Sequence, residues 1–313
     1  LKDWGFETVI FSLLIGLFIS NIFSIPKWLK ESLSSELFVK IGLVLLGTTV
    51  LFDDLLKAGA LGLIQSCVVV FTVWNFCFWL CRKMKIDKEM SLMLSSAVSI
   101  CGVSAAVATA GAIKGDKTKL SYVVSLVLVV AVPMILIMPG LAKLMGLPED
   151  MAGAWIGGTI DTTGAVAATG AIYGEVALQT STIVKFSQNV LLGVAAFLIS
   201  IYWSYSKKEV TEEKPTLKVI WLRFPKFVLG FVAASLVFSF CVAPEVVSDA
   251  KPILKNIQGM WFALAFMSIG LETDFKSLIT SENRRSTYAF LGAQAFNVVF
   301  TLLVAWILFG LIA

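Results

Sequence analysis

Residues 95–116 read SSAVSICGVSAAVATAGAIKGD, and residues 155–175 return to the pattern as WIGGTIDTTGAVAATGAIYGE. Setting 104–116 against 163–175, at a constant offset of 59, gives seven identities in thirteen positions. Ala106, Val107, Ala108, Gly111, Ala112, Ile113 and Gly115 fall on Ala165, Val166, Ala167, Gly170, Ala171, Ile172 and Gly174. Each copy joins a helix of small residues to an entry rich in glycine and hydroxyl groups. Two readings follow. Small residues let helices pack closely in lipid, and Gly170 and Gly174 have GxxxG spacing. Alternatively, Cys101-Gly102 and Gly157-Gly158 interrupt their helices and free backbone groups to hold an ion or solute. Packing explains the alanines and glycines. It leaves Ser99, Ser104, Thr159, Asp161, Thr162 and Thr163 at the entries unexplained, and the second reading predicts a polar site at mid-depth in a membrane.

The 313 residues are 58% hydrophobic and 15% charged, with a mean hydropathy of +0.88, whereas soluble domains average about 25% charged residues. The expected fold is therefore an all-α polytopic membrane protein, a single transmembrane domain over residues 1–313 with internal repeats. A span needs about 20 apolar residues. Ten segments qualify: 6–25, 37–56, 60–81, 91–113, 120–141, 151–173, 178–203, 224–243, 257–275 and 287–312, of which 91–113 and 151–173 are the interrupted pair. Residues 91–203 form the expected core, and the charged 204–223 a cytoplasmic linker. If all ten segments cross, one set of loops holds 17 basic residues and the other 7, with Lys185 inside a span. The positive-inside rule makes the first set cytoplasmic. Treating 151–173 alone as re-entrant changes the split to 10 against 14, so crossing is the expectation. It makes the two interrupted helices parallel, in conflict with an inverted repeat. A fainter echo at an offset of 220 sets Leu51 on Leu271 and Asp54 on Asp274.

Several function classes are disfavoured. Five cysteines in apolar segments argue against a disulfide framework. The chain has no histidine, no carboxylate stands near Cys77 and Cys81, and no metal site is expected. AGAIKGDKT at 110–118 lacks the ending of a phosphate loop. With no nucleophile and base pair to assemble, neither an enzyme nor a bound cofactor is expected. The net charge of +4 reads as loop bias, not as affinity for nucleic acid.

Asp161 and Lys185 stand well inside spans, where a charge costs about 2.5 to 3.5 kcal/mol on insertion scales. They form either a structural ion pair or a working site. In the second case Lys185 complements an anion and Asp161 binds a coupling proton or sodium ion. Half-helix starts at Gly102–Ser104 and Asp161–Thr163 suit an anion, and carbonyls near Ile100 and Thr159 suit a cation. The candidate substrate-binding set is Cys101, Gly102, Val103, Ser104, Thr159, Asp161, Thr162, Thr163 and Lys185.

Three further matches resemble a known family. Ile100 to Ala108, ICGVSAAVA, is similar to an ICGxSAxxA segment, Gly270 to Phe275, GLETDF, to a GxxTDF-like segment, and Lys185 to a lysine in the span after the second interrupted helix. Together they resemble the bacterial YeiH-like membrane proteins, a family of proposed sulfate exporters. Where that family has HEVAQV this chain has Asp161 to Val166, DTTGAV, and where an arginine is usual it has Gln188. Both departures reduce positive charge. The resemblance implies a location in the bacterial inner membrane and a fold like that of bile-acid:sodium symporters and cation/proton antiporters, with crossing broken helices against a scaffold. It also implies one further N-terminal span, eleven in the native chain, so that Leu1 is not the native start. The expected function is a secondary active transporter of a small anion, sulfate or another sulfur-containing or organic anion, by alternating access with ion coupling. A homodimer in the lipid bilayer is its expected assembly. An ion channel and a non-transporting membrane receptor are the rival classes.

Overall fold

The computed structural model describes residues 4–23, 34–206, 218–272 and 284–312. Thr273, Asp274 and Phe275 of the family-like segment, and 207–217 of the expected linker, lie outside the described residues. The described residues are helical and contain no strand. Among the described residues, four helices are long and apolar enough to cross a membrane: α3 (Phe52–Lys83), α6 (Lys117–Leu144), α9 (Glu175–Ser206) and α13 (Arg284–Ala305, continued as a π-helix over Trp306–Ile312). Shorter or more polar helices accompany them: α1 (Trp4–Ile22), α2 (Ser35–Gly47), α10 (Lys218–Arg223), α11 (Lys226–Leu236, continued as a π-helix over Val237–Cys241) and α12 (Pro244–Glu272). The expected boundary between 37–56 and 60–81 is corrected, because the helix ends at Gly47 and the next begins at Phe52. Thr48 and Thr49 turn their hydroxyls onto the Leu45 and Leu46 carbonyls and close the first helix.

Both repeated segments break where the sequence entries stand, but neither crosses. The first consists of α4 (Lys88–Ser99) and α5 (Val103–Ile113), the second of α7 (Glu149–Thr159) and α8 (Thr163–Tyr173). Asp87 caps α4 through the Met90 amide at 3.1 Å. Beside it, Glu89 accepts from the Asp116 amide just beyond α5. Lys119 closes the base with ion pairs to Asp87 at 2.8 Å and Glu89 at 2.9 Å. The start of α4 and the end of α5 therefore lie together, and the segment is a re-entrant hairpin. The second segment repeats the arrangement. Tyr173, at the end of α8, donates to the Leu147 carbonyl just before α7 at 2.5 Å, and Glu149 accepts from the Val176 amide at 2.9 Å. The crossing of both segments, and the crossing of broken helices over each other, are thereby corrected to two hairpins.

Because α6 runs between the hairpins, they enter from opposite faces, which removes the conflict with an inverted repeat. The basic residues agree. Among the described residues Lys40, Arg82, Lys83, Lys85, Lys88, Lys114, Lys117, Lys119, Lys218, Arg223, Lys226, Arg284 and Arg285, thirteen in all, lie toward one face, while Lys57, Lys143, Lys251 and Lys255, four, lie toward the other. Over these same residues, crossing of all ten segments gives 11 against 6 and re-entry of 151–173 alone gives 8 against 9, so the two-hairpin bias is the stronger. At the first hairpin's base Asp116 caps α6, and the Lys119 amide holds its carboxyl below its usual value, against desolvation and with a smaller contribution from the Thr118 amide. A lowered value means that this cap stabilises the fold above the ordinary aspartate range and fades as pH falls through the lowered one.

The helices sort into two bodies. α1, α2, α11 and α12 pack chiefly on one another, with Gly16 against the Met267 and Gly270 backbone, Gly42 against the Phe262 ring and Gly47 against Phe231. The hairpins, α3, α6, α9 and α13 make the other body. The two meet mainly along α8, and Phe186 of α9 also packs edge-on against Phe227 and Phe231 of α11. Single cysteines at Lys85 and Lys114, in a cysteine-free background, are expected to label from one side of the membrane and one at Lys143 from the other. Labelling of Lys85 and Lys143 from the same side would restore the crossing assignment.

Candidate functional site

The tip of the first hairpin is Ile100, Cys101 and Gly102. α4 ends as the Ile100 amide donates to the Ser96 carbonyl at 3.2 Å, and the Gly102 amide then reaches back to the Ala97 carbonyl at 3.1 Å. Gly102 sits at φ 60°, ψ −110°. A Cβ there would lie 2.7 Å from Val127 Cγ1 and 3.3 Å from Cβ of Asp161. The tip of the second hairpin is Ile160, Asp161 and Thr162, with Ile160 and Thr162 extended and Thr162 capping α8 through the Ala165 amide at 3.2 Å. Gly102 therefore touches Asp161 and Thr162, and the two tips meet. Gly157 and Gly158 do not make the break, which corrects the sequence reading. α7 continues through both, and a Cβ on Gly157 would fall 2.4 Å from the Ser181 carbonyl of α9. Close packing is the function of that glycine, as it is of Gly170, whose Cβ would fall 2.5 Å from Ser181 Oγ.

Broken helices leave carbonyls without amide partners, and side chains of α9 and α13 take them up. Lys185 is 1% exposed and donates to the Ile100 carbonyl at 2.8 Å and to Gln188 Oε1 at 2.5 Å. Gln188 in turn donates to the Gly158 carbonyl at 3.0 Å. Gln294 and Asn297 donate to the Thr159 carbonyl at 2.9 and 3.1 Å, and Asn297 Nδ2 also lies 3.2 Å from the Val98 carbonyl. The pairing of Asp161 with Lys185 as a structural ion pair is corrected. Among the described residues the Asp161 carboxylate, 2% exposed, has no hydrogen-bond partner, and the Lys185 ammonium donates instead to Ile100 and Gln188.

A cavity of about 1050 Å³ reaches the tips from the basic face. Cys101, Val103, Ser104, Thr162 and Thr163 line its inner end with Asn189, which donates to Thr163 Oγ1 at 3.1 Å. Glu36, Lys40, Lys226 and Glu272 stand at its mouth. No side chain caps α5, whose N-cap is Gly102, so its first amides open toward this inner end. Of the nine candidate residues, Gly102, Thr159, Asp161 and Lys185 do not line the cavity; they lie immediately behind it. The sequence reading missed Gln294 and Asn297. Their spacing on one face of an apolar helix, with Thr301 one turn further on, is the signal for polar contacts between membrane helices.

Two re-entrant hairpins entering from opposite faces, joined at their tips beside a cavity between two bodies, define an all-helical membrane protein with an internal polar site. The chain belongs to the family described as Conserved hypothetical protein 698, matched over residues 3–289 and including the YeiH-like proteins. It is 39% identical to a UPF0324 membrane protein of Rhodopirellula baltica, over 99% of this chain and 59% of the relative. It is 38% identical to one of Nitratidesulfovibrio vulgaris, over 100% of this chain and 56% of the relative. A UPF0324 membrane protein of Nitrosomonas europaea is 30% identical over 88% of this chain and 64% of that relative. The chain thus spans less than two thirds of the length of these curated relatives. No solved structure matches it.

Gly102→Ala is expected to destabilise the protein by about 1 to 3 kcal/mol, since alanine is strained at a positive φ and its Cβ meets Val127. Gly140→Ala, in α6 with nothing within 4 Å of the added Cβ, is the control and leaves the melting temperature unchanged or higher. Equal losses in the two variants would remove the tight tip.

Proposed function

We propose that the protein is a secondary active transporter of a small anion, a carrier and not an enzyme, working by alternating access. The observation that carries this reading is the cavity, lined by the hairpin tips, the basic-face helix ends and the middle of α6 and α9, and among the described residues by none from the opposite face. By the positive-inside rule the basic face is cytoplasmic. The reading then takes this arrangement as the inward-open member of an alternating pair. The uncapped start of α5 offers amide donors and a partial positive charge, Ser104 and Thr163 offer hydroxyls, and Lys185 supplies the one buried cation among the described residues. These features suit an oxyanion such as sulfate or a sulfonate. Asp161, beside the site but outside the cavity, serves as the ion-coupling group. Movement of the hairpin body against the other four helices, along α8, exchanges the two open states.

Counterflow of radiolabelled sulfate and small organic sulfonates in proteoliposomes tests this reading. Saturable counterflow is expected, and flux without it, at rates beyond a carrier cycle, would assign a channel. Ser104→Ala is expected to weaken substrate affinity about tenfold or more, the effect of losing one hydrogen bond to a charged group, at unchanged melting temperature. Asp161→Asn is expected to abolish dependence on an ion gradient while exchange without a gradient survives.

A further inference from the structure

Among the described residues, the buried side-chain polar atoms without a hydrogen-bond partner are all oxygens. They are Gln65 Oε1, Thr159 Oγ1, both carboxylate oxygens of Asp161, Thr182 Oγ1, Asn189 Oδ1 and Gln294 Oε1. Roughly nine in ten buried polar groups find a partner in folded proteins, so a surplus made only of oxygen points to a ligand that accepts lone pairs. The amide orientations are set by the nitrogen ends. Nε2 of Gln65 donates to the Ala154 carbonyl at 2.7 Å, and Nε2 of Gln294 to the Thr159 carbonyl at 2.9 Å. Their carbonyl ends are the ones left over. Three of the oxygen-bearing side chains belong to the second tip or are fastened to it. Thr159 and Asp161 flank Ile160 at the second tip, and Gln294 is fastened to the Thr159 backbone. All three are buried, at 1%, 2% and 4% exposure.

We propose that the Asp161 carboxylate, Thr159 Oγ1 and Gln294 Oε1 form a binding site for one sodium ion. Hard cations take oxygen ligands; calcium takes six to eight of them, and magnesium keeps several waters beside one or two carboxylates. Here a single carboxylate is present, and among the described residues no group of three His, Cys, Asp or Glu side chains is placed to hold a metal. One negative charge matches one monovalent cation. A proton on Asp161 would supply one O–H donor to a neighbouring oxygen, whereas a cation draws on all three side chains at once. The site also explains how a cation and an anion reinforce each other. Sodium neutralises Asp161 beside the α5 start, so an anion there meets less repulsion, and by linkage the anion tightens sodium binding equally. Only this last step rests on the transporter reading. The binding site itself does not.

The test is a thermal-unfolding series on the full chain in detergent, with sodium chloride replacing choline chloride at constant ionic strength and potassium chloride as the size control. The melting temperature is expected to rise with the logarithm of sodium concentration and to respond weakly to potassium. Thr159→Val, which keeps the branched shape and removes the hydroxyl, is expected to move the response to about tenfold higher sodium, equivalent to a loss of about 1.4 kcal/mol. Asp161→Asn is expected to abolish it. A wild-type melting temperature that responds to pH but equally to sodium and potassium would assign a proton and overturn the sodium site. So would radioactive sodium binding that survives Asp161→Asn. Should that variant fail to fold, the wild-type titration and Thr159→Val still decide. Sodium binding without counterflow would sustain this site and remove the transport reading, and counterflow without sodium binding would do the reverse.

Discussion

A helix broken inside a low-dielectric environment exposes carbonyls that neither water nor the next turn can satisfy, and everything around the two tips is arranged to meet them. Leaving one buried polar group unpaired costs about 1 to 3 kcal/mol, more than the roughly 0.5 to 1.5 kcal/mol that an ordinary hydrogen bond contributes. The decisive contacts are therefore those from Lys185, Gln188, Gln294 and Asn297 onto the carbonyls of Ile100, Gly158, Thr159 and Val98. They fix each hairpin to α9 or α13, the two long helices that hold the tips at their depth. Close approach at Gly157 then follows, because α7 has to lie directly on the α9 backbone for Gln188 to reach it.

The hairpin bases obey a different rule. There water is at hand, and charged groups do the joining: Glu89 with Lys119 on one face, Glu149 with the start of α9 on the other. Apolar depth carries amides and one lysine, while the rims carry carboxylates. The gradient follows from the desolvation penalty of charge, and it places Asp161 as the exception. A carboxylate at the tip, without a donor among the described residues, stands where the surrounding logic would place an amide.

Much of this was legible in the residues. The repeat of 104–116 in 163–175 marked both breaks, and the strained turn at Gly102 is one that only glycine adopts readily. The return of the segments was not legible, for a reason that lies in the charges. Re-entry of 151–173 alone reverses every later element and spoils the loop bias, so the test rejects it. Re-entry of both segments reverses only α6, which brings Lys114, Lys117 and Lys119 to the basic face and sends Lys143 away. Pairwise symmetry was needed, and single-segment scoring hides it. Gly157-Gly158 misled because glycine serves a backbone turn and a close helix contact equally well. Gln294 and Asn297 went unread because amides in an apolar helix acquire meaning only once the carbonyls they face are known.

Ile100 of the first hairpin, Lys185, Gln188 and Gly158 of the second are linked in that order by three consecutive hydrogen bonds. Gln188 makes the chain continuous because its amide accepts a hydrogen bond from Lys185 and donates one to Gly158; an arginine in its place offers only donors. The two hairpins are thus joined through the Lys185 ammonium, beside the bridge that Asn297 makes between the Val98 and Thr159 carbonyls. One buried charge thereby serves a carbonyl of the first hairpin directly and one of the second through Gln188, so a single side chain stands in for two separate fastenings.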